Sequence, residues 1–178
     1  MATYVALLRG ITPSNPNMRN EKLRGVFEDI GFENVQSVIS SGNILFETGS
    51  RNLEELESTI EKALLKQLDF KSTTIVYSKD ELQSFINENP FKNLKDTAQS
   101  KLNVTFLKSK PNTDVEFPYQ SENKGFTVVG IYNRAICSVV DLSKGKTPDL
   151  MRWMEKEFGK NLTTRTWKTI DRIMKRLD

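Results

Sequence analysis

The chain has 178 residues, 37% hydrophobic and 28% charged, with a formal net charge of +3 and no histidine at all. A chain of this length buries roughly 70% of the surface its unfolded form exposes, so a hydrophobic core is expected and a disordered class is excluded. Without imidazole and with a single cysteine, Cys137, histidine-based triads, Cys-His dyads and imidazole or polythiolate metal sites are ruled out, and any catalysis has to use Asp, Glu, Lys, Tyr or hydroxyl groups.

Residues 3–8 are apolar and β-rich and predict a buried strand. The run 4–8 follows no basic region and is closed at once by Arg9, too short for a signal-peptide core or a membrane span. A loop over 9–17 carries Pro13 and Pro16. Leu23, Val26, Phe27 and Ile30 then recur at helical spacing, with Gly31 placed to end a helix. Residues 35–40 and 43–48 predict two strands joined by Ser41-Gly42, a link that can supply the positive φ of a tight hairpin. Asn52 and Glu55 form a capping pair ahead of Leu53, Leu56, Ile60, Leu64 and Leu68, one face of a second helix, and 73–77 predict a fourth strand. The order β-α-β-β-α-β is that of a ferredoxin-like unit.

Ser78 and Glu81 open a helix with Leu82, Phe85 and Ile86 that Pro90 stops. Residues 102–107 predict a strand, 108–124 a loop, and 126–131 with 135–142 a hairpin turning at Asn133. Thr147-Pro148-Asp149 has the order of an N-cap, a first-turn proline and an N-terminal acid, and the helix it opens carries Met151, Met154 and Phe158 before Gly159. The last segment places Trp167, Ile170, Met174 and Leu177 on one helical face and Lys168, Arg172 and Arg176 on another. From Ser143 onward there are ten Lys/Arg and five Asp/Glu, which makes the C-terminal part the one candidate cationic surface. The expected fold is α+β, with a ferredoxin-like lobe over 1–78 and a related β-rich lobe over 79–178 closed by two C-terminal helices, packed as one compact unit. Cys137 falls in a strand and has no cysteine to pair with, so a reducing, cytoplasmic setting is expected.

Three stretches carry a family resemblance: Ala6-Leu7-Leu8-Arg9-Gly10-Ile11, Ser40-Ser41-Gly42-Asn43-Ile44-Leu45-Phe46 and Thr163-Thr164-Arg165-Thr166-Trp167, with Val104-Thr105-Phe106-Leu107 as a fourth similar segment. Together they resemble the domain of unknown function family 1697, across nearly the whole chain. The resemblance implies a compact bacterial α+β protein of two related lobes and implies no activity. Where the family typically has a Gly-Gly pair after Arg-Gly-Ile, Ser14 and Asn15 stand here between Pro13 and Pro16.

No EF-hand loop, Walker-type loop or dinucleotide fingerprint is present, so no cofactor and no metal is expected. Arg9-Gly10, after a strand and before a helix, suits an anion, or else Arg9 pairs with a carboxylate and Gly10 permits a turn. Ser41 and Asn43 are candidate ligand groups whose turn chemistry the hairpin already explains. Thr164, Arg165 and Trp167 offer hydroxyls, a guanidinium and a stacking face at what the pattern predicts as a helix start, although Trp167 shares the apolar face. Lys168, Arg172 and Arg176 either track a nucleic-acid backbone or form a solvated face. Three functions are therefore open: binding of an anionic or phosphorylated small molecule, nucleic-acid binding through the last helix, or protein interaction without catalysis. A membrane partner is not expected.

Overall fold

The computed structural model describes all residues, 1–178, as a mixed α+β chain with two antiparallel sheets of four and five strands and five α-helices. It divides into two compact units, residues 1–83 with 172–178, and residues 84–171. No helix is long and apolar enough to cross a membrane.

The first unit runs β1 (Ala2–Leu8), a single 3-10 turn (Pro16–Met18), α1 (Asn20–Asp29), β2 (Glu33–Ser37), β3 (Asn43–Thr48), α2 (Leu53–Leu68) and β4 (Thr74–Ser78). This is the β-α-β-β-α-β order expected from the sequence. The strands line up β2-β3-β1-β4, all antiparallel, so β3 lies between β1 and β2 while β1 lies between β3 and β4. Tyr4, Ala6 and Leu8 alternate onto the face that Leu23 and Phe27 of α1 and Ile60 of α2 cover. Val5 and Leu7, on the opposite face, are buried as well, which is why β1 reads as an unbroken apolar run rather than an alternation. Phe46 anchors the core by stacking on Tyr4 at 5.5 Å and on Phe32 at 4.4 Å between centroids. Asn52 caps α2 by accepting from the Glu55 N–H at 3.2 Å.

Helix α3 (Lys79–Asn87) opens on a reciprocal capping box: the Glu81 N–H donates to Ser78 Oγ at 3.1 Å and the Ser78 N–H to Glu81 Oε2 at 3.0 Å. The second unit then has β5 (Ser100–Leu107), β6 (Tyr119–Gln120), β7 (Phe126–Tyr132), β8 (Ala135–Asp141), α4 (Thr147–Phe158) and β9 (Leu162–Thr166), followed by α5 (Trp167–Leu177). Its sheet order is β6-β7-β8-β5-β9, antiparallel throughout. Leu150 and Met154 of α4 pack on Val128, Ile136, Val140 and Leu162. The β7–β8 hairpin turns at Asn133, whose φ of 56° suits asparagine.

Three expectations are corrected. Residues 163–166 form an edge strand ahead of the last helix, because Thr163, Thr164 and Thr166 are β-branched and Phe106, Thr105 and Asn103 of β5 are available to pair with them. The N-cap of α4 is Lys146, and Asp149 accepts from its backbone N–H at 3.2 Å, so Thr147 is the first helical residue. The loop at 108–124 contains a two-residue strand, Tyr119–Gln120, paired with Val128 and Thr127.

Candidate functional site in the first unit

Two segments meet at one end of the four-stranded sheet: the turn leaving β1, with Arg9, Gly10 and Ile11, and the Val38–Gly42 connection between β2 and β3. The Leu8 N–H donates to the Gly42 carbonyl at 2.9 Å, and the Arg9 N–H to the Thr73 carbonyl at 2.9 Å. Ser72 Oγ closes the third side by donating to the Arg9 carbonyl at 2.7 Å. Gly10 and Gly42 both lie in the left-handed region, with φ of 76° and 78°. The Asn43 amide, completely buried, donates to the Val38 carbonyl at 3.0 Å and to Ser41 Oγ at 2.9 Å, so the polar groups of Ser41 and Asn43 shape the connection from inside.

The same connection holds Ile39 at a φ of 51°. A β-branched residue in the left-handed region is an outlier that costs on the order of 1–3 kcal/mol and persists only where surrounding contacts impose it. The constraint here is Asn20 at the start of α1, whose Nδ2 donates to the Ile39 carbonyl at 2.8 Å. That bond draws the strained residue toward the end of α1 that carries its positive dipole, where the N-cap residue Arg19 makes no side-chain capping bond.

Between these elements lies a cleft of about 350 Å³. Arg19, Asn20, Glu21 and Arg24 line it from the start of α1, Ser40 from the hairpin, and Pro13 and Met18 from the loop. Arg24 is steadied by Nη1 donating to Ser37 Oγ at 2.5 Å. Two guanidiniums against one carboxylate make the cleft cationic, and guanidiniums with a hydroxyl beside them are the donor set that phosphate and carboxylate oxygens accept from. Arg19, Asn20 and Arg24 do not stand out in the sequence because nothing there ties the first turn of α1 to the β2–β3 connection. The signal that is present is Ser40, the first residue of the Ser-Ser-Gly-Asn stretch.

Of the residues singled out from the sequence, Arg9, Gly10, Ser41 and Asn43 belong to this first unit, whereas Thr164, Arg165 and Trp167 belong to the second. Thr164 Oγ1 is hydrogen-bonded to Thr105 Oγ1 across the β5–β9 ladder at 2.8 Å. Arg165 is buried, with Nη1 donating to Thr163 Oγ1 at 2.6 Å and to the Thr164 carbonyl at 3.1 Å, and burial pulls its pKa down to about 10. Trp167 sits edge-on to Phe91 and Phe85, with centroids 5.0 and 6.1 Å away. Lys168, Arg172 and Arg176 are exposed on α5, where Lys168 Nζ lies 3.4 Å from Asp96 Oδ2 and Arg176 Nη1 donates to Gln36 Oε1 at 3.4 Å. No group of three or more cysteine, aspartate or glutamate side chains is placed to hold a metal ion.

The chain superposes on the structure of a conserved bacterial protein from Streptococcus pneumoniae with a TM-score of 0.69, covering 99% of each chain at 20% sequence identity, a likeness of fold. No curated protein matches the sequence. The family model described as protein of unknown function (DUF1697) matches residues 1–136, a span that holds the β1 turn, the start of α1 and the β2–β3 connection, and the chain belongs to that family.

Proposed function

We propose that the protein binds a small anionic molecule, a phosphate or phosphorylated compound, in the cleft between the start of α1 and the β2–β3 connection. The observation that carries this reading is the convergence of Arg19, Arg24 and Ser40 on one cleft of about 350 Å³, a volume within the range of small-ligand sites. Strain at Ile39 supports it, since a backbone held out of its preferred region next to a cleft is more common at functional positions than elsewhere. Arg9, Gly10, Ser41 and Asn43 then act beneath the cleft, setting the path of the two segments that form it. Binding along Lys168, Arg172 and Arg176 has less support, because Lys168 already faces Asp96 and Arg176 faces Gln36. A reducing cytoplasmic location is part of the proposal and is supported by the single, buried Cys137.

The test is a titration with pyrophosphate followed by backbone amide NMR, on the wild type and on Arg19→Gln and Arg24→Gln. Shifts at Arg19, Asn20 and Ser40, with affinity lowered about tenfold in each variant, are the expected result. Saturation with pyrophosphate that leaves those three amides unmoved would sink the proposal.

A further inference from the structure

The second unit contains another cleft, of about 400 Å³, lined almost entirely by polar side chains. One wall is the sheet, where Gln120 and Thr127 are register partners and Thr127 also pairs with Val139. Gln99, just before β5, closes a second side, and the turn after β8, with Asp141 and Lys144, closes a third. We propose that this cleft is a binding site for a sugar phosphate, distinct in ligand and location from the arginine cleft of the first unit.

Two loops that share no sequence proximity are clasped to make it. A Cβ on Gly125 would lie 2.9 Å from the Gly145 Cα, and one on Gly145 would lie 2.7 Å from the Gly125 Cα, so the backbones touch and neither position has room for a side chain. Asn123 ties the same loops together: its Oδ1 accepts from the Gly125 N–H at 3.0 Å while its Nδ2 donates to the Lys144 carbonyl at 3.3 Å. The Asp141 N–H adds a bond to the Gly125 carbonyl at 2.8 Å. This clasp places two lysines on one cleft, Lys144 from the turn and Lys124 from the neighbouring loop, and Lys124 is held at a φ of 59° that a lysine rarely adopts. Lys144 Nζ lies 4.0 Å from Asp141 Oδ2, at the limit of pairing, and both side chains are well exposed.

Asp141 supplies the other half of the chemistry. Its Oδ1 accepts from the Ser143 N–H at 3.0 Å and from Ser143 Oγ at 2.6 Å. Oδ2 makes only the loose 4.0 Å contact with Lys144 Nζ, which a ligand hydroxyl can share or displace. A fixed carboxylate oxygen and the side-chain amides of Gln99 and Gln120 suit hydroxyl groups, which both donate and accept. Two ammonium groups at one rim suit a phosphate. A sugar phosphate presents both patterns within a volume of this size.

Ribose 5-phosphate is the probe, with ribose and inorganic phosphate as the separate halves, read by amide NMR on the full chain. The expected result is movement of the Gln99, Thr127 and Lys144 amides with ribose 5-phosphate, and movement confined to the lysine rim with phosphate alone. A Lys124→Gly, Lys144→Gln double variant removes both charges, and glycine accepts the left-handed backbone at 124, so the fold is retained. Affinity for ribose 5-phosphate is expected to fall by about a hundredfold, tenfold for each ammonium–phosphate hydrogen bond removed. Binding of undiminished affinity in the double variant, no movement of these amides at millimolar probe, or shifts restricted to Arg19 and Ser40 would each overturn the proposal.

Discussion

Gly42 presses directly against Ile11: a Cβ added to Gly42 would sit 2.6 Å from Ile11 Cγ1 and 3.0 Å from the Leu8 Cβ. This contact joins the turn leaving β1 to the β2–β3 connection. Gly42→Ala therefore combines a left-handed backbone penalty of about 1–2 kcal/mol with overpacking of about 1–3 kcal/mol. Gly10→Ala is the control, because its φ is similarly positive but its Cβ would enter open space. Urea unfolding is expected to show Gly10→Ala losing only the backbone share and Gly42→Ala losing clearly more. Equal losses would mean that the contact with Ile11 relaxes without cost.

Removing a hydroxyl is expected to have opposite effects at two buried positions. Ser138 Oγ is buried with no hydrogen-bond partner, so Ser138→Ala removes a desolvated group that gains nothing from the fold and is expected to be neutral or stabilising by up to about 1 kcal/mol. Thr105, fully buried, shares its hydroxyl bond with Thr164. Thr105→Val leaves the half-buried Thr164 hydroxyl without this partner and is expected to cost about 0.5–1.5 kcal/mol. The double variant with Thr164→Val should lose less than the sum of the single changes, and a strictly additive cycle would show that the bond contributes nothing.

Cys137 lies in β8 fully buried, and burial together with the nearby Glu88 carboxylate pushes its thiol well above its usual range. Only the thiolate reacts at an appreciable rate. In the native protein at pH 8 a disulfide reagent is expected to leave the thiol untouched, and the reaction should track global unfolding as urea is added. Stoichiometric labelling without denaturant would show that β8 opens locally.

The carboxyl of Asp141 is held below its ordinary range, first by the Ser143 hydroxyl and then by the Ser143 backbone N–H. A depressed carboxyl pKa stabilises the fold above the unfolded value, and that stabilisation is lost as pH falls through the lowered native value. Ser143→Ala is expected to move the Asp141 titration, followed by side-chain carboxyl NMR, back toward the ordinary value and to shrink the loss of stability on acidification. An unmoved titration would assign the shift to the Ser143 backbone N–H, which the alanine variant keeps, and to Lys144 rather than to the hydroxyl.

Local chemistry explains how much of the fold was legible. The helices at 53–68 and 79–87 were readable because an Asn52 cap, a Ser78–Glu81 box and an apolar stripe are properties of neighbouring residues. The β1 run was readable for the same reason, but the β2–β3 turn was not. Strand β2 stops at Ser37 rather than Ser40, and the connection is the five-residue Val38–Gly42 segment with positive φ at Ile39 as well as Gly42, not a two-residue Ser41-Gly42 turn. Strand β9 was not: Thr163–Thr166 has cap-forming threonines just before a helical stripe, and only β5, about sixty residues earlier, makes it a strand. The Arg9-Gly10-Ile11 and Ser41-Gly42-Asn43 stretches stood out one by one, yet their mutual contact depends on the antiparallel pairing of β1 with β3, which brings Leu7 opposite Asn43. The clefts are more distant still from the sequence. Arg19 and Ser40 share a cavity because the Ile39 carbonyl is tied to Asn20, and Lys124 and Lys144 share another because two glycines let their backbones touch. Propensity and periodicity act within a few residues of chain, whereas a binding surface is made of groups that only long-range pairing brings together.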